Sequence, residues 1–188
     1  IITHTHADHS GGVPALVTSL PVKRVIITDE THSSGLWKLW RAQGWFDDSK
    51  LLLISDTLSL DIARMKLSFL NPDRDWHTDS ENDRSIVFRL DAKGKSFLFT
   101  GDVEAHSEAW LLSRYPELLD VDYLKVPHHG SRSSNTEAFL KAVSPREAWI
   151  STAKRNRFDF PHPEALIHLR RHSEKLRQTS DGSIHLVL

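Results

Sequence analysis

Apolar positions fall along the chain in two rhythms. Short apolar runs, rich in Val, Ile, Leu and Phe, occur in KRVIITDE, KLLLIS, MKLSFLN, SIVFRL, KSFLFTGD, VDYLKVPHHG, EAWIST and SIHLVL, and each predicts a β-strand. Several are apolar on both faces, which fits sheets covered by other layers better than a sheet with one wet face. Between them lie stretches of helical spacing at Gly12 to Leu20, Ser33 to Gln43, Ser107 to Arg114, Asn135 to Ala142 and Pro163 to His172, which predict amphipathic helices. Ser107 and Asn135 stand where helix caps belong, each with an acidic residue close behind, where the helix dipole favours negative charge. In WKLWRAQGW, Trp37 and Trp40 share one helical face and are expected in the core. Asp73 to Asp83, polar except for Trp76, predicts a long loop. The order is mixed α/β, without repeat or linker, so residues 1–188 read as one domain.

Composition narrows the classes. A 39% hydrophobic content supports a sizeable core. The absence of cysteine excludes disulfides, thiolate metal sites and a cysteine nucleophile. No apolar run approaches the ~20 residues of a membrane helix. The net charge of −1 hides an asymmetry: the first 120 residues carry 13 Lys/Arg against 18 Asp/Glu, and the remainder 11 against 7. The C-terminal third is the basic part.

The chemistry concentrates at strand ends. The chain opens IITHTHADHSGG; Ile1 and Ile2 read as the end of a buried strand, and His4, His6, Asp8 and His9 occupy the loop that leaves it. Side chains two apart in extended backbone point the same way, so His4 and His6 can share one ion, while Asp8 and His9, past the bend, reach a second. Imidazole with carboxylate suits Zn²⁺, or Mn²⁺ where oxygen dominates. Two further runs end alike: SFLFTGDVE delivers Asp102, and YLKVPHHGS delivers His128 and His129.

Together, HTHADH, TGD and the histidine-bearing strand end resemble the metallo-β-lactamase superfamily of two-metal hydrolases. More finely, THTHADHSGG, ENDRSIVFRL, FLFTGDVE, LKVPHHGSRSSN, FDFPHPEAL and RQTSDGSIHL resemble the C-terminal domain of ComEC-type competence proteins, which carry DNA across the bacterial inner membrane. The resemblance implies a four-layer αββα sandwich. Because superfamily members have strands ahead of the first motif, it also implies a domain lacking its N-terminal strands. It gives His4 and His6 to one ion, Asp8 and His9 to the other, Asp102 to both as a bridge, and one of the His128–His129 pair to the second; His129, closer to the Gly-Ser turn, is the favoured ligand and His128 the substrate-facing partner, with the reverse assignment left open. Asp8 would also orient the nucleophile, and His128 or His162 would donate a proton to the leaving oxygen. The two divalent ions would be Zn²⁺ or Mn²⁺. A third histidine is expected ahead of SIVF, where this chain has Glu81, Asn82 and Asp83. Either an oxygen ligand replaces it, favouring Mn²⁺, or that ion is loosely held.

Substrate choice rests on surface residues. Ser131 and Arg132, with Lys154, Arg155 and Arg157 beside Phe158 and Phe160, combine cations, hydroxyls and rings in the manner of a single-strand binder; a solvated turn over buried phenylalanines is the plainer alternative. The expected function is metal-dependent phosphodiester hydrolysis, a DNA nuclease serving DNA uptake, with single-stranded DNA and a membrane channel domain of the full-length protein as partners. Its place would be the periplasmic side of the inner membrane. The alternatives are a non-catalytic DNA-binding or gating module, and a hydrolase of another phosphoester or small ester.

Overall fold

The computed structural model describes residues 1–46 and 48–187. Two short helices, α1 (Ala7–Ser10) and α2 (Val13–Ser19), lead to β1 (Val25–Thr28). Helices α3 (Asp29–Ser33) and α4 (Gly35–Ala42) then connect to β2 (Leu51–Ile54), which lies parallel to β1. A second, seven-stranded sheet holds β3 (Leu58–Ile62), β4 (Met65–Asn71), β5 (Val87–Ala92), β6 (Lys95–Phe99), β7 (Tyr123–Lys125), β8 (Glu147–Ile150) and β9 (Lys175–Gln178), side by side in that order. From β3 to β6 the pairing is antiparallel. From β6 to β9 it is parallel. The crossovers carry α5 (Ala105–Arg114) with α6 (Pro116–Leu119), then α7 (Glu137–Val143), then α8 (Pro163–His172).

Side-chain alternation explains the layers. Val25 and Ile27 of β1 face Trp37 and Trp40 of α4, while Ile26 turns the other way and, with Ile54, meets Leu67, Phe69 and Phe88 of the large sheet. The far face of that sheet packs Val87, Leu98 and Leu124 against Leu111, Phe139, Leu140 and Leu169 of the crossover helices. Helix, small sheet, large sheet and helices make the expected αββα sandwich. Leu98, Leu124, Phe139, Leu140 and Leu169 are fully buried, each contributing about 1.5–3 kcal/mol relative to exposure.

Several local expectations are corrected. SIHLVL is not a strand: residues 183–187 have no regular structure, and Leu188 lies outside the described residues. The place beside β8 is taken by Lys175–Gln178 instead, an edge strand whose one aliphatic residue, Leu176, gives little pattern to read. β3 was absent from the expected strands, because Leu58, Leu60 and Ile62 alternate with polar residues rather than forming a run. Ile2 is buried and donates its N–H to the Ile26 carbonyl, yet residues 1 and 2 form no strand among the described residues.

Neither expected cap caps a helix. Ser107 lies inside α5 and donates its hydroxyl to the Asp83 carbonyl. Asn135 precedes the cap of α7 at φ 65°, and Thr136 accepts the Phe139 N–H in its place. The Asn135 amide instead donates to the Pro127 and Ser131 carbonyls. It therefore secures the loop that follows β7.

This topology fixes where chemistry can occur. Parallel strands bring their C-terminal ends to one side, where open α/β sheets hold ligands. β5 runs antiparallel to β6, so the residues before β5 reach the same edge.

Candidate metal centre

Three strand ends and the opening loop meet at this edge. After β6 the chain turns sharply at Gly101, whose φ is +55° and where a Cβ would lie 2.6 Å from the Ser85 Cβ. Asp102 is thereby driven inward and is 2% exposed. After β7, His128 (φ 45°, ψ 45°) and His129 (φ 54°, ψ 19°) are successive left-handed residues, a conformation costing roughly 1–2 kcal/mol apiece outside glycine. Such strain persists only where the surroundings enforce it. Gly130 follows at φ +83°, where a Cβ would fall 2.6 Å from that of Pro161.

The ligand-type atoms form two groups that share Asp102. One contains Asp8, His9, Asp102 and His129; the other contains His4, His6 and Asp102. In the first, His9 Nε2 is 3.1 Å from Asp102 Oδ1, 3.7 Å from Asp8 Oδ2 and 3.1 Å from His129 Nε2. His129 Nε2 is 3.2 Å from Asp8 Oδ2 and 3.6 Å from Asp102 Oδ1. A tetrahedron of ligands about 2.0–2.1 Å from an ion has edges of about 3.4 Å. The five separations above, 3.1–3.7 Å, bracket that figure. Asp102 Oδ1 is buried and accepts no hydrogen bond despite two imidazole nitrogens beside it, as expected of an oxygen directed at a cation between them. The residues present fit a divalent ion.

In the second group, His4 Nε2 lies 3.0 Å from His6 Nδ1 and 3.9 Å from Asp102 Oδ2. It has three members.

The outer nitrogen of each imidazole is also tied, which orients the ring. His129 Nδ1 donates to the Ser151 carbonyl at 2.6 Å, leaving the Nε2 lone pair for the centre. His4 Nδ1 meets the Ser85 and Thr3 hydroxyls, and His9 Nδ1 meets that of Thr3. His6 Nε2 is 3.4 Å from Glu81 Oε2, and Glu81 also accepts the Thr5 hydroxyl. Glu81 thus faces the nitrogen of His6 that points away from His4, as an orienting carboxylate.

Electrostatics follow from burial. Loss of solvent pushes His4 down to about 4, aided by His9 and opposed by Asp102, so it is neutral and able to donate a lone pair at pH 7. Burial works against the Asp102 carboxylate, but His129 and His9 outweigh it and hold the group well below the usual range. Burial lowers His128, against the pull of Asp102 and Glu104.

Most of the other predicted residues share one cleft of about 1070 Å³ with the ligand groups, lined by His6, Asp8, Asp102, His128 and His129 and also by Arg157, Phe158 and Phe160. His128 belongs to neither ligand group; its Nδ1 is 3.4 Å from Glu104 Oε1 and its Nε2 is 4.0 Å from Asp102 Oδ2. Ser131, Arg132 and His162 line the cleft, with His162 Nδ1 accepting the Arg132 N–H. Lys154 and Arg155 are exposed and outside the lining. Phe160 stacks on His129, Phe158 on Phe160, and the Arg157 guanidinium lies over the Phe158 ring.

Sequence reasoning missed Thr3, Glu81 in its orienting place, Ser85, Glu104 and the Ser151 carbonyl. Glu104 had a signal in TGDVE, two residues beyond Asp102, and Thr3 stands within the opening motif; Glu81, Ser85 and Ser151 are set by contacts between distant segments.

Comparison with known proteins follows the same lines. The family model described as the metallo-beta-lactamase superfamily matches residues 1–154. ComE operon protein 3 of Bacillus subtilis is 32% identical over 98% of this chain and 24% of its own length. Competence protein ComA of Neisseria gonorrhoeae is 28% identical over 95% of this chain and 23% of its own. The chain thus spans about a quarter of these relatives. Among solved structures, the metallo-beta-lactamase fold protein YhfI of Bacillus subtilis superposes with a TM-score of 0.54 at 13% identity, covering 94% of this chain and 71% of that one; this likeness concerns the fold alone.

Proposed function

The chain belongs to the metallo-beta-lactamase superfamily, and from that premise we propose that it is a two-metal phosphodiesterase acting on DNA, with single strands as the preferred substrate. The observation that carries this reading is the joining of two Asp102-sharing ligand groups to a cleft with a cation and stacked rings on its wall. Two divalent ions, Zn²⁺ or Mn²⁺, would be held by Asp8, His9, Asp102 and His129 and by His4, His6 and Asp102. Bound there, they would supply a water of lowered pKa and Lewis acidity toward a phosphoryl oxygen.

This chain's own residues do the rest. Asp102 spans both groups and fixes their spacing. Asp8, the more exposed carboxylate of its group, orients the attacking water. Glu104 anchors Nδ1 of His128, so that Nε2 faces the cleft and exchanges the proton of the leaving oxygen. Of the two histidines considered for that task, His128 is the one within 4.0 Å of Asp102; His162 secures the Arg132 segment. Arg132 and Arg157 pair with phosphates, and Phe158 and Phe160 offer faces to bases, a combination tolerant of sequence.

The competence relatives support DNA as the substrate and uptake as the setting. No helix of the described residues is long and apolar enough to cross a membrane. Association with a channel on the periplasmic side therefore rests on the rest of such a protein. Assaying labelled single- and double-stranded oligonucleotides with Mn²⁺, Zn²⁺ or chelator tests the proposal. Metal-dependent cleavage, faster on single strands and reduced at least ~10³-fold by Asp102→Ala, is expected. Cleavage indifferent to that substitution, or none with two ions bound, sinks it.

A further inference from the structure

The two ligand groups are unequal, with four members around one position and three around the other. The cleft that His6 and Asp102 line also holds a residue with a polar atom that the protein leaves without a partner. Asn82 Oδ1 is buried and accepts no hydrogen bond, although an unpaired buried acceptor costs about 1–3 kcal/mol. Its neighbours are all committed. Glu81 holds the outer nitrogen of His6. Asp83 is buried, with Oδ1 accepting the Glu104 N–H and its carbonyl accepting the Asn71 amide and the Ser107 hydroxyl. Ser85 meets His4 Nδ1 and accepts the Asp102 N–H. Along the chain Asn82 thus lies between Glu81, which touches His6, and Ser85, which touches both His4 and Asp102, and it lines the same cleft as His6, Asp8 and Asp102.

We propose that the Asn82 side-chain oxygen is the fourth protein ligand of the His4, His6 and Asp102 position. The inference deepens the two-metal reading and rests on it. An amide carbonyl is a neutral, hard donor, and it makes this position more tolerant of Mn²⁺ than an all-imidazole set with one carboxylate. It also accounts for the unpaired oxygen: in the ion-loaded protein the atom has a partner. The Asn82 carbonyl of the main chain accepts the Ser85 N–H, which fixes the turn and leaves the side chain to be aimed independently.

The test is metal content and affinity rather than turnover. The wild-type chain and Asn82→Ala are loaded with Mn²⁺, dialysed and measured by elemental analysis, calorimetry and electron paramagnetic resonance. Wild type is expected to hold two ions with a spin-coupled spectrum. Asn82→Ala should hold one, with the uncoupled spectrum of an isolated ion and an unchanged affinity at the Asp8, His9 and His129 position. Asn82→Asp should restore two ions, and Asn82→His should restore two while shifting preference toward Zn²⁺. Should Asn82→Ala fold poorly, Asn82→Leu removes the oxygen at similar volume and is expected to show the same loss. Retention of two ions at wild-type affinity in a folded oxygen-less variant overturns the inference and leaves the two-metal reading standing. Fewer than two ions in the wild type overturns the two-metal reading itself.

Discussion

The two halves of the centre share one carboxylate and differ in almost everything else. The Asp8, His9 and His129 half draws its atoms from the opening loop and from the strained turn after β7, and its ligand-type atoms already stand 3.1–3.7 Å apart. The His4 and His6 half draws both imidazoles from a single extended segment, pairs a buried ring with an exposed one, and leaves one side to the turn before β5. The difference shows how preorganisation is built. Convergence from distant strand ends fixes four atoms at once, whereas two residues of one segment define only an edge.

Substitutions break the comparison most directly. His9→Ala is expected to weaken binding at its own half by more than ~100-fold, beyond what loss of an outer partner causes, and to abolish turnover. His6→Ala should weaken only the other half and by less, since that ring is half exposed; calorimetric titration of each variant checks the order, and equal losses would erase the distinction.

A second effect concerns the support beneath the four-membered half. The loop after His129 is pinned by Glu108, a buried carboxylate that accepts the Asn135 and Thr136 N–H groups. Burial, only partly offset by those bonds, pushes Glu108 up to about 7, above the ~4.3 of an unfolded chain. The folded state therefore holds the extra proton. Its stabilising contribution is full below pH ~4.3 and is lost as pH rises through about 7, a change on the order of 4 kcal/mol. Chemical denaturation of metal-free wild type against Glu108→Gln should show the wild type losing ground over that window, and parallel pH profiles would refute it.

The smallest effect concerns the three-membered half. Glu81→Gln keeps the shape but removes the charge facing His6 Nε2, so affinity at the His4 and His6 position should fall ~10-fold with the other half unchanged. Competition against a metal-sensitive dye separates the two. An effect on both halves would mean that Glu81 acts through the fold rather than through His6.

Much of this was legible in the residue order. Apolar runs located β4 to β8, and the spacing of Trp37 and Trp40 marked a helix face that the structure buries. The exchange of caps was not legible: Ser107 and Asn135 have the chemistry of caps, but buried carbonyls of Asp83, Pro127 and Ser131 claim them. β9 and SIHLVL were transposed because an edge strand needs a neighbour more than it needs an apolar pattern. Lys154 and Arg155, drawn into the candidate substrate surface as cations close to Phe158 and Phe160 in the sequence, do not line the cleft that Arg157 lines.

The sequence by itself determined the mixed α/β order and the strands that deliver Asp102 and the His128–His129 pair, because local pattern and period set those, while the αββα layering followed from the resemblance of the motifs to the metallo-β-lactamase superfamily. Tertiary structure alone decided which nitrogen of each histidine faces inward, which of His128 and His129 joins the four-atom group, and which residue of Glu81, Asn82 and Asp83 is left with an unpaired oxygen. Apart from the Thr3 hydroxyl, which lies in the same segment as His4 and His9, the partners that make those choices come from distant parts of the chain, through hydrogen bonds and close contacts that no spacing encodes.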